Sequence, residues 1–267
     1  MKSVLKIALL FCAAWGSYTV LPGQYLGRIG SVSERAEARQ FKQKKIQLAK
    51  TYLDFPDSAG NFPGTSAKLT GVRRFTKQGE IAHDTIFHWE DGAPFVIQEF
   101  VYHDGRQVRV VMDWYRDTEP ERERIEYVYE NDWLTQMVRV RNASEREVTT
   151  YRYDAQGDIQ YYSGGQSAPR TSDTTFCRNN AEGRLIRTTQ AGVPNKTVEY
   201  TYNSAGKLTA MTEESEFTLF GGSDRISRRF AYFPNGLLHH VTDFDSEGKA
   251  VSRYWVEYFK RNGKPVK

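Results

Sequence analysis

From Lys68 onward, large apolar or aromatic residues alternate with polar ones, and no helical period appears. Turn-forming groups interrupt the alternation: Lys77-Gln78-Gly79, Glu90-Asp91-Gly92, His103-Asp104-Gly105, the stretch around Pro120, Asn131-Asp132 and Asn142-Ala143. Turns at this spacing are the signature of an antiparallel meander of about fourteen strands. A sheet that wide has to curl. The expected fold is mainly β, a long curved antiparallel meander of hairpins forming a half-barrel or spiral sheet, with one N-terminal α-helix. That helix is expected over residues 31–53. Ser31 with Glu34 fits a capping box, and Ala38, Phe41, Lys45, Leu48 and Tyr52 recur at spacings of three and four. Its other positions carry Arg35, Arg39, Lys42, Lys44 and Lys50, which suits a solvated surface face or an amphipathic helix on an anionic membrane. Residues 54–66, with Pro56, Gly60, Pro63 and Gly64, read as a linker before a β domain over residues 67–267.

One hairpin pattern is reused in the second half. It stands as Tyr151-Arg152-Tyr153-Asp154-Ala155-Gln156-Gly157-Asp158-Ile159, as Tyr200-Thr201-Tyr202-Asn203-Ser204-Ala205-Gly206-Lys207-Leu208, and as Phe230-Ala231-Tyr232-Phe233-Pro234-Asn235-Gly236-Leu237-Leu238. Asp154 suits the first position of a type I turn, and Gly157 the left-handed position that makes a G1 bulge. The expected register sets Tyr153 opposite Ile159 and Tyr151 opposite Tyr161. By the same rule Tyr200 faces Ala210 and Phe230 faces His240.

The pattern Tyr-x-Tyr-Asp-x-x-Gly-x-(Leu/Ile) resembles the YD repeat of the RHS/YD family. Weaker copies surround Gly105, Gly183, Gly248 and Gly263, and Cys177 and Asn179 stand where two aromatics belong before Gly183. The resemblance covers residues 100–263 and implies a structural β unit. Its turn glycines here are Gly157, Gly183, Gly206, Gly236 and Gly248. The family's toxin-encapsulating shell needs a far longer chain.

Residues 1–16 read as a secretory signal: Lys2 and Lys6 before a short apolar run, then Ala14-Trp15-Gly16 with small residues at the cleavage positions. The expected location is periplasmic or secreted, with an uncleaved N-terminal anchor as the alternative and membrane contact through this segment. Removing residues 1–16 lowers the formal charge from +4 to +2, too little to suggest nucleic acid as a partner. It also leaves Cys177 as the sole cysteine, so no internal disulfide is available.

Asp243-x-Asp245-x-Glu247-Gly248 imitates half of an EF-hand calcium loop, but carboxylates plus glycine also make ordinary turns. His83 and His88, and likewise His239 and His240, are expected on opposite strand faces. Asp113, Asp117, Glu119, Glu121 and Glu123 crowd one turn among arginines, where no catalytic role is assigned. No nucleophile elbow, phosphate loop, dinucleotide fingerprint or zinc-protease motif is present. The sequence therefore points to no enzyme, cofactor or metal. Trp89, Trp114, Tyr161 and Trp255 are the candidate binding-face aromatics, set against the simpler reading that such rings are core. The expected role is an exported binding or scaffold module for a protein or glycan partner in the bacterial envelope. An immunity-type inhibitor of a secreted toxin and a carboxylate-based glycan hydrolase are the alternatives.

Overall fold

The structure, a computed structural model, describes residues 33–115, 121–131, 133–141, 145–155, 159–165, 174–190, 195–217 and 222–266. The expected signal, residues 1–16, and Gly157 lie outside these. A helix, α1 (Ser33–Lys44), leads into a single antiparallel sheet. Its first strands are β1 (Ile46–Asp54), β2 (Lys68–Phe75), β3 (Ile81–Phe87), β4 (Pro94–His103), β5 (Arg106–Trp114) and β6 (Glu121–Glu130). Then follow β7 (Trp133–Arg141), β8 (Glu145–Tyr153), β9 (Ile159–Gly165), β10 (Thr174–Asn179), β11 (Leu185–Gln190) and β12 (Asn195–Tyr202). Last come β13 (Leu208–Phe217), β14 (Gly222–Tyr232), β15 (Leu238–Phe244), β16 (Ala250–Lys260) and the short β17 (Pro265–Val266).

Each strand pairs with its successor, as the alternating pattern predicts, and the sheet curls. The curl brings β1 between β2 and β16, with partners running from Ile46↔Lys260 to Asp54↔Arg253. The ladder that joins β9 to β10 is short, with the pairs Thr174↔Ser163, Thr175↔Tyr162 and Phe176↔Tyr161.

The helix is shorter than its apolar spacing predicts. It stops at Lys44, Lys45 takes a left-handed backbone (φ 56), and residues 46–54 are strand. Ile46, Ala49 and Leu53 are the buried apolar positions of β1, and their spacing of three and four imitates a helix. The cause is a register irregularity on each side of the strand, between Ile46 and Leu48 and between Thr51 and Tyr52. What remains of the helix is fixed by Phe41, which is buried and packs 4.5 Å from the Phe75 ring and 6.0 Å from Tyr258.

Because consecutive strands are antiparallel, alternate connections lie at the same end of the sheet. The end beside α1 carries the turns after β2, β4, β6, β8, β10, β12, β14 and β16. Five of these are one and the same loop, at residues 76–80, 180–184, 203–207, 233–237 and 260–264. In each, the first residue's N–H donates to the fifth's carbonyl, and the glycine N–H donates back to the first carbonyl. Gly183, Gly206 and Gly236 take φ of 73°, 76° and 84° there, as a G1 bulge requires. Gly248 makes the same turn (φ 79) but at the opposite end, between β15 and β16.

The hairpins carry a second irregularity that the turn rule does not anticipate. Tyr202 does pair with Leu208, and Tyr232 with Leu238, but the next residue on the outgoing strand is extra. Tyr200 consequently faces Met211, Phe230 faces Val241, and Tyr151 faces Tyr162, each one residue beyond the expected partner. The shift recurs after Ile81, Gln107, Leu134, Leu185 and Ala250. Repeated bulges increase local twist and so support the curl.

The inner face holds three linked apolar clusters. The largest joins Phe41 to β1, β3 and β11–β16 through residues such as Leu185, Leu208, Val241 and Tyr258. A second centres on Val96, Val110, Met112, Trp114 and Ile125, and a third on Leu134 and Tyr151.

Candidate functional site

At the end away from α1, the chain between β1 and β2 folds back over the sheet's outer face. Asp54 anchors it. This buried carboxylate accepts from the Phe55 and Gly64 backbone N–H groups (3.1 and 2.8 Å) and from Ser66 Oγ (3.0 Å). Around this anchor, aromatic rings and cations alternate. Tyr52 stacks on Trp255 with centroids 5.6 Å apart, and Lys50 lies 5.3 Å over the Phe259 ring. The Arg253 guanidinium sits 4.1 Å from the Phe62 ring. Phe55, exposed, meets Trp89 edge-on at 5.5 Å, and Lys68 lies 5.6 Å over that indole while its Nζ donates to the Glu90 carbonyl. Tyr52, Phe62, Trp89 and Trp255 are each half-exposed. Rings that keep one face to water beside positive charge can stack against flat ligand surfaces and hold acidic groups.

Two of the four candidate aromatics therefore come to this strip, Trp89 and Trp255. Trp114 does not. It is buried in the second core cluster, edge-on to Phe95 at 5.5 Å, as the simpler reading of such rings held. The backbone of Tyr161 pairs with Arg152 and Phe176, while its side chain lies outside the described ones. The alternation pattern marked Trp89 and Trp255 but missed Tyr52, which the helical spacing had claimed, and Phe55 and Phe62, because a loop folding onto a sheet leaves no periodic trace.

Gly183, Gly206, Gly236 and Gly248 take the left-handed backbone of their turns, and the tyrosines beside such turns do something the motif alone did not reveal. Tyr129, Tyr153, Tyr202 and Tyr232 each donate a hydroxyl hydrogen bond to a backbone carbonyl of the preceding hairpin at the helix end. The acceptors are Gln107 (2.9 Å), Leu134 (2.7 Å), Leu185 (2.8 Å) and Leu208 (2.8 Å). The residue after each glycine strengthens the link. Arg106 lies over the Tyr129 ring at 5.9 Å and Lys207 over Tyr232 at 5.1 Å, while Lys207 Nζ also donates to the Gly236 carbonyl (2.7 Å). The Arg184 guanidinium lies over Gly206, whose left-handed backbone (φ +76) favours glycine. Burial pushes the Tyr153 and Tyr202 hydroxyls up to about 12.

A row of residues, all polar but Met112, crosses the inner face from β2 to β7, following the register Arg73↔Asp84↔Gln98↔Met112↔Glu123↔Arg141. Arg73 holds Asp84 through Nε (3.0 Å) and Nη2; burial raises the Asp84 carboxyl above its usual range although Arg73 pulls it down. Gln98 donates to Met112 Sδ (3.2 Å), and its buried Oε1 accepts no hydrogen bond. Glu123 pairs with Arg139, which also approaches Glu147 at 3.7 Å, and Arg141 reaches Glu121 at 3.5 Å. Of the carboxylates crowded into one stretch of sequence, Glu121 and Glu123 thus share arginines on the inner face, whereas Asp113 pairs with Arg122 at the surface. Asp117 and Glu119 lie outside the described residues.

The calcium-like sequence is divided between two structural tasks. Asp243 is buried against Arg228 (2.6 Å) and Ser252 (3.1 Å), while Asp245 caps its own turn by accepting from the Glu247 and Lys249 N–H groups. Among the described residues no three His, Cys, Asp or Glu side chains are placed to share a metal. His239 and His240 do not point apart as strand alternation predicts. His239 occupies the extra position of its hairpin, and the two Nδ1 atoms lie 3.2 Å apart. Cys177 is half-buried between core clusters, and burial pushes its thiol up to about 12, which leaves little thiolate for reaction at neutral pH.

No protein-family model matches the chain, and no curated protein matches it. Among solved structures, a porin-like protein from Bacteroides uniformis overlays 80% of this chain and 97% of its own at 6% identity and a TM-score of 0.44. A porin-like protein from Bacteroides vulgatus overlays 80% of this chain and 98% of its own at 10% identity and a TM-score of 0.37. The TcdB2-TccC3-TEV structure covers 82% of this chain with 15% of its own, at 9% identity and a TM-score of 0.23. Overlaps this loose assign no role. No described helix is long and apolar enough to cross a membrane. The outward strand positions include exposed Arg109, Arg122, Arg124, Arg187, Glu199 and Glu257, which do not make the apolar band of a lipid-facing strand.

Proposed function

We propose that this chain is a non-catalytic glycan-binding module of the bacterial envelope, with the strip from Phe259 through Tyr52, Trp255 and Phe62 to Trp89 as its ligand surface. The observation that carries the reading is the interleaving of half-exposed rings with Lys50, Arg253 and Lys68 over one outer face. Pyranose rings present flat C–H faces to aromatic side chains, and the cations add preference for acidic sugars. The extended ligand fits a surface built along strands rather than a closed cavity. The envelope location rests on the signal-like residues 1–16, and kinship with YD-repeat proteins on the recurrent Tyr-x-Tyr-x-x-x-Gly turns.

The test is a fluorescence titration of the full chain with polygalacturonate and, as a neutral control, dextran. Binding of polygalacturonate with a change in indole emission is expected, weakened about tenfold or more by Trp255→Ala, the scale set by losing one stacked ring. Trp114→Phe, a core change, should leave affinity unaltered. No binding to either polymer, or binding indifferent to Trp255, would reject the reading.

A further inference from the structure

The hairpin that joins β14 to β15 sets two histidines against each other. Tyr232 pairs with Leu238 and Ala231 with His240, so His239 is the extra residue of the outgoing strand. A bulge of this kind re-aims one side chain out of the strand's alternation. Here it turns the two imidazoles together, with their Nδ1 atoms 3.2 Å apart and the rings edge to face at 4.8 Å. Packing holds both rings. His239 lies against the Phe233 ring, centroids 4.3 Å apart, and His240 stands in register between the small Ala231 and Trp255. His239 is exposed and His240 half-buried, so the pair is open to water.

We infer that His239 and His240 form a chelating site for a transition-metal ion of the zinc and copper class. An ion bonded to both Nδ1 atoms at about 2.0–2.1 Å, the usual length to a histidine nitrogen, would subtend about 100–105° at their 3.2 Å separation. That angle is close to tetrahedral, so the pair needs little movement to take the ion. Each ring then carries its proton on Nε2, and the metal stands where the two neutral Nδ1 atoms otherwise share one proton. Among the described residues no third His, Cys, Asp or Glu side chain is placed to join them, so water completes the coordination. A donor set of imidazole and water suits copper and zinc, whereas calcium and magnesium seek carboxylate and carbonyl oxygens. Arg253 acts on His240 as a nearby positive charge, although its guanidinium is directed to the Phe62 ring (4.1 Å) and its Nε donates to Thr242 Oγ1 (3.4 Å). With two protein ligands and this neighbour, the ion is exchangeable and the fold does not depend on it. The inference goes beyond the glycan reading and uses none of the rings assigned to it.

The test is calorimetric titration of the full chain with Cu2+, which of the first-row divalent ions binds imidazole most strongly, and with Ca2+ as control. Binding of Cu2+ and none of Ca2+ is expected. His239→Gln and His240→Gln should each weaken it about tenfold or more, the advantage of a second ligand already held in place. His103→Gln, at an exposed histidine on another hairpin, should leave it unchanged. His239 is exposed, so His239→Gln keeps the test decisive should a change at half-buried His240 disturb the strand. Indole emission locates the ion, because Trp255 is the register partner of His240 and bound Cu2+ should quench it. No Cu2+ binding, or equal affinity in the wild type and the His239 variant, overturns the inference. Binding that is lost with His103, or that leaves indole emission untouched, places the ion elsewhere and overturns it as well.

Discussion

The connections at the two ends of the sheet differ in length and in how firmly they are held. Beside α1, the gaps between strands run from two to five residues; at the far end they run from three to thirteen. At the helix end, one turn geometry recurs five times, and tyrosine hydroxyls tie successive hairpins to one another. Gln40 Nε2 also donates to the Asn235 carbonyl (2.9 Å), pinning the helix to the Gly236 turn. At the far end, among the described residues, the Gly248 turn has that geometry between β15 and β16, and the chain after Asp54 is anchored by the Asp54 carboxylate. A sheet that fixes one set of turns so tightly leaves the opposite loops free to diverge in length and chemistry, which is where binding surfaces arise.

The sharpest way to break this contrast is to give each end a side chain its glycine excludes. Gly79 has φ +88, and a Cβ there would collide with the Ala38 carbonyl and the Lys42 nitrogen of the helix. Gly79→Ala should cost about 3 kcal/mol or more, since backbone strain and displacement of α1 add together. Gly92, in the loop after β3, has φ +74 with nothing within 4 Å of the added atom. Gly92→Ala should cost about 1 kcal/mol, the strain of the left-handed backbone alone. Urea denaturation of the two variants measures the difference. Equal losses would mean the helix end is no more constrained than the loop end.

Much of the helix-end arrangement was legible in sequence. Asn203 and Gly206, or Asn180 and Gly183, specify their turns locally: the asparagine side chain accepts from the N–H that the bulge would otherwise leave exposed. The register beyond each turn was not legible, since the extra residue after Leu208 or Leu238 depends on twist accumulated over neighbouring strands. The same effect disguised β1 as helix. At the loop end legibility fell further. Trp255 and Trp89 stand out as aromatics, but Phe62 reaches Arg253 only because Asp54 folds the intervening chain back, a contact between residues far apart in sequence. Asn179 and Cys177 stand where the pattern has aromatics, yet the turn that follows them keeps the shared geometry. They lie on β10, which pairs with β9 through three residues.

A smaller effect should come from the tyrosine ties. Tyr202→Phe and Tyr232→Phe each leave a Leu carbonyl without its donor at unchanged ring packing, so about 1 kcal/mol should be lost per site. Tyr115 at the loop end is exposed, and Tyr115→Phe should change stability by less than about 0.5 kcal/mol. Should all three behave alike, the hydroxyl ties would be incidental to the order of that end.

The smallest and most selective difference lies in the response to alkali. Burial raises the Tyr153 and Tyr202 hydroxyls from 10.0 to about 12, with the nearby Arg184 partly offsetting this at Tyr202. The neutral phenol is the form the fold holds, because a phenolate has no proton to donate to Leu134 or Leu185. A folded-state value above the unfolded one contributes stability that is complete below pH 10 and lost as pH rises through about 12. Absorbance titration should therefore show two tyrosines ionising late, and Tyr153→Phe with Tyr202→Phe should remove that late step. The stability gap between the wild type and this double variant should narrow across the same interval. A gap that stays constant from neutral pH to alkaline unfolding would mean that the hydroxyl protons take no part in holding one hairpin to the next.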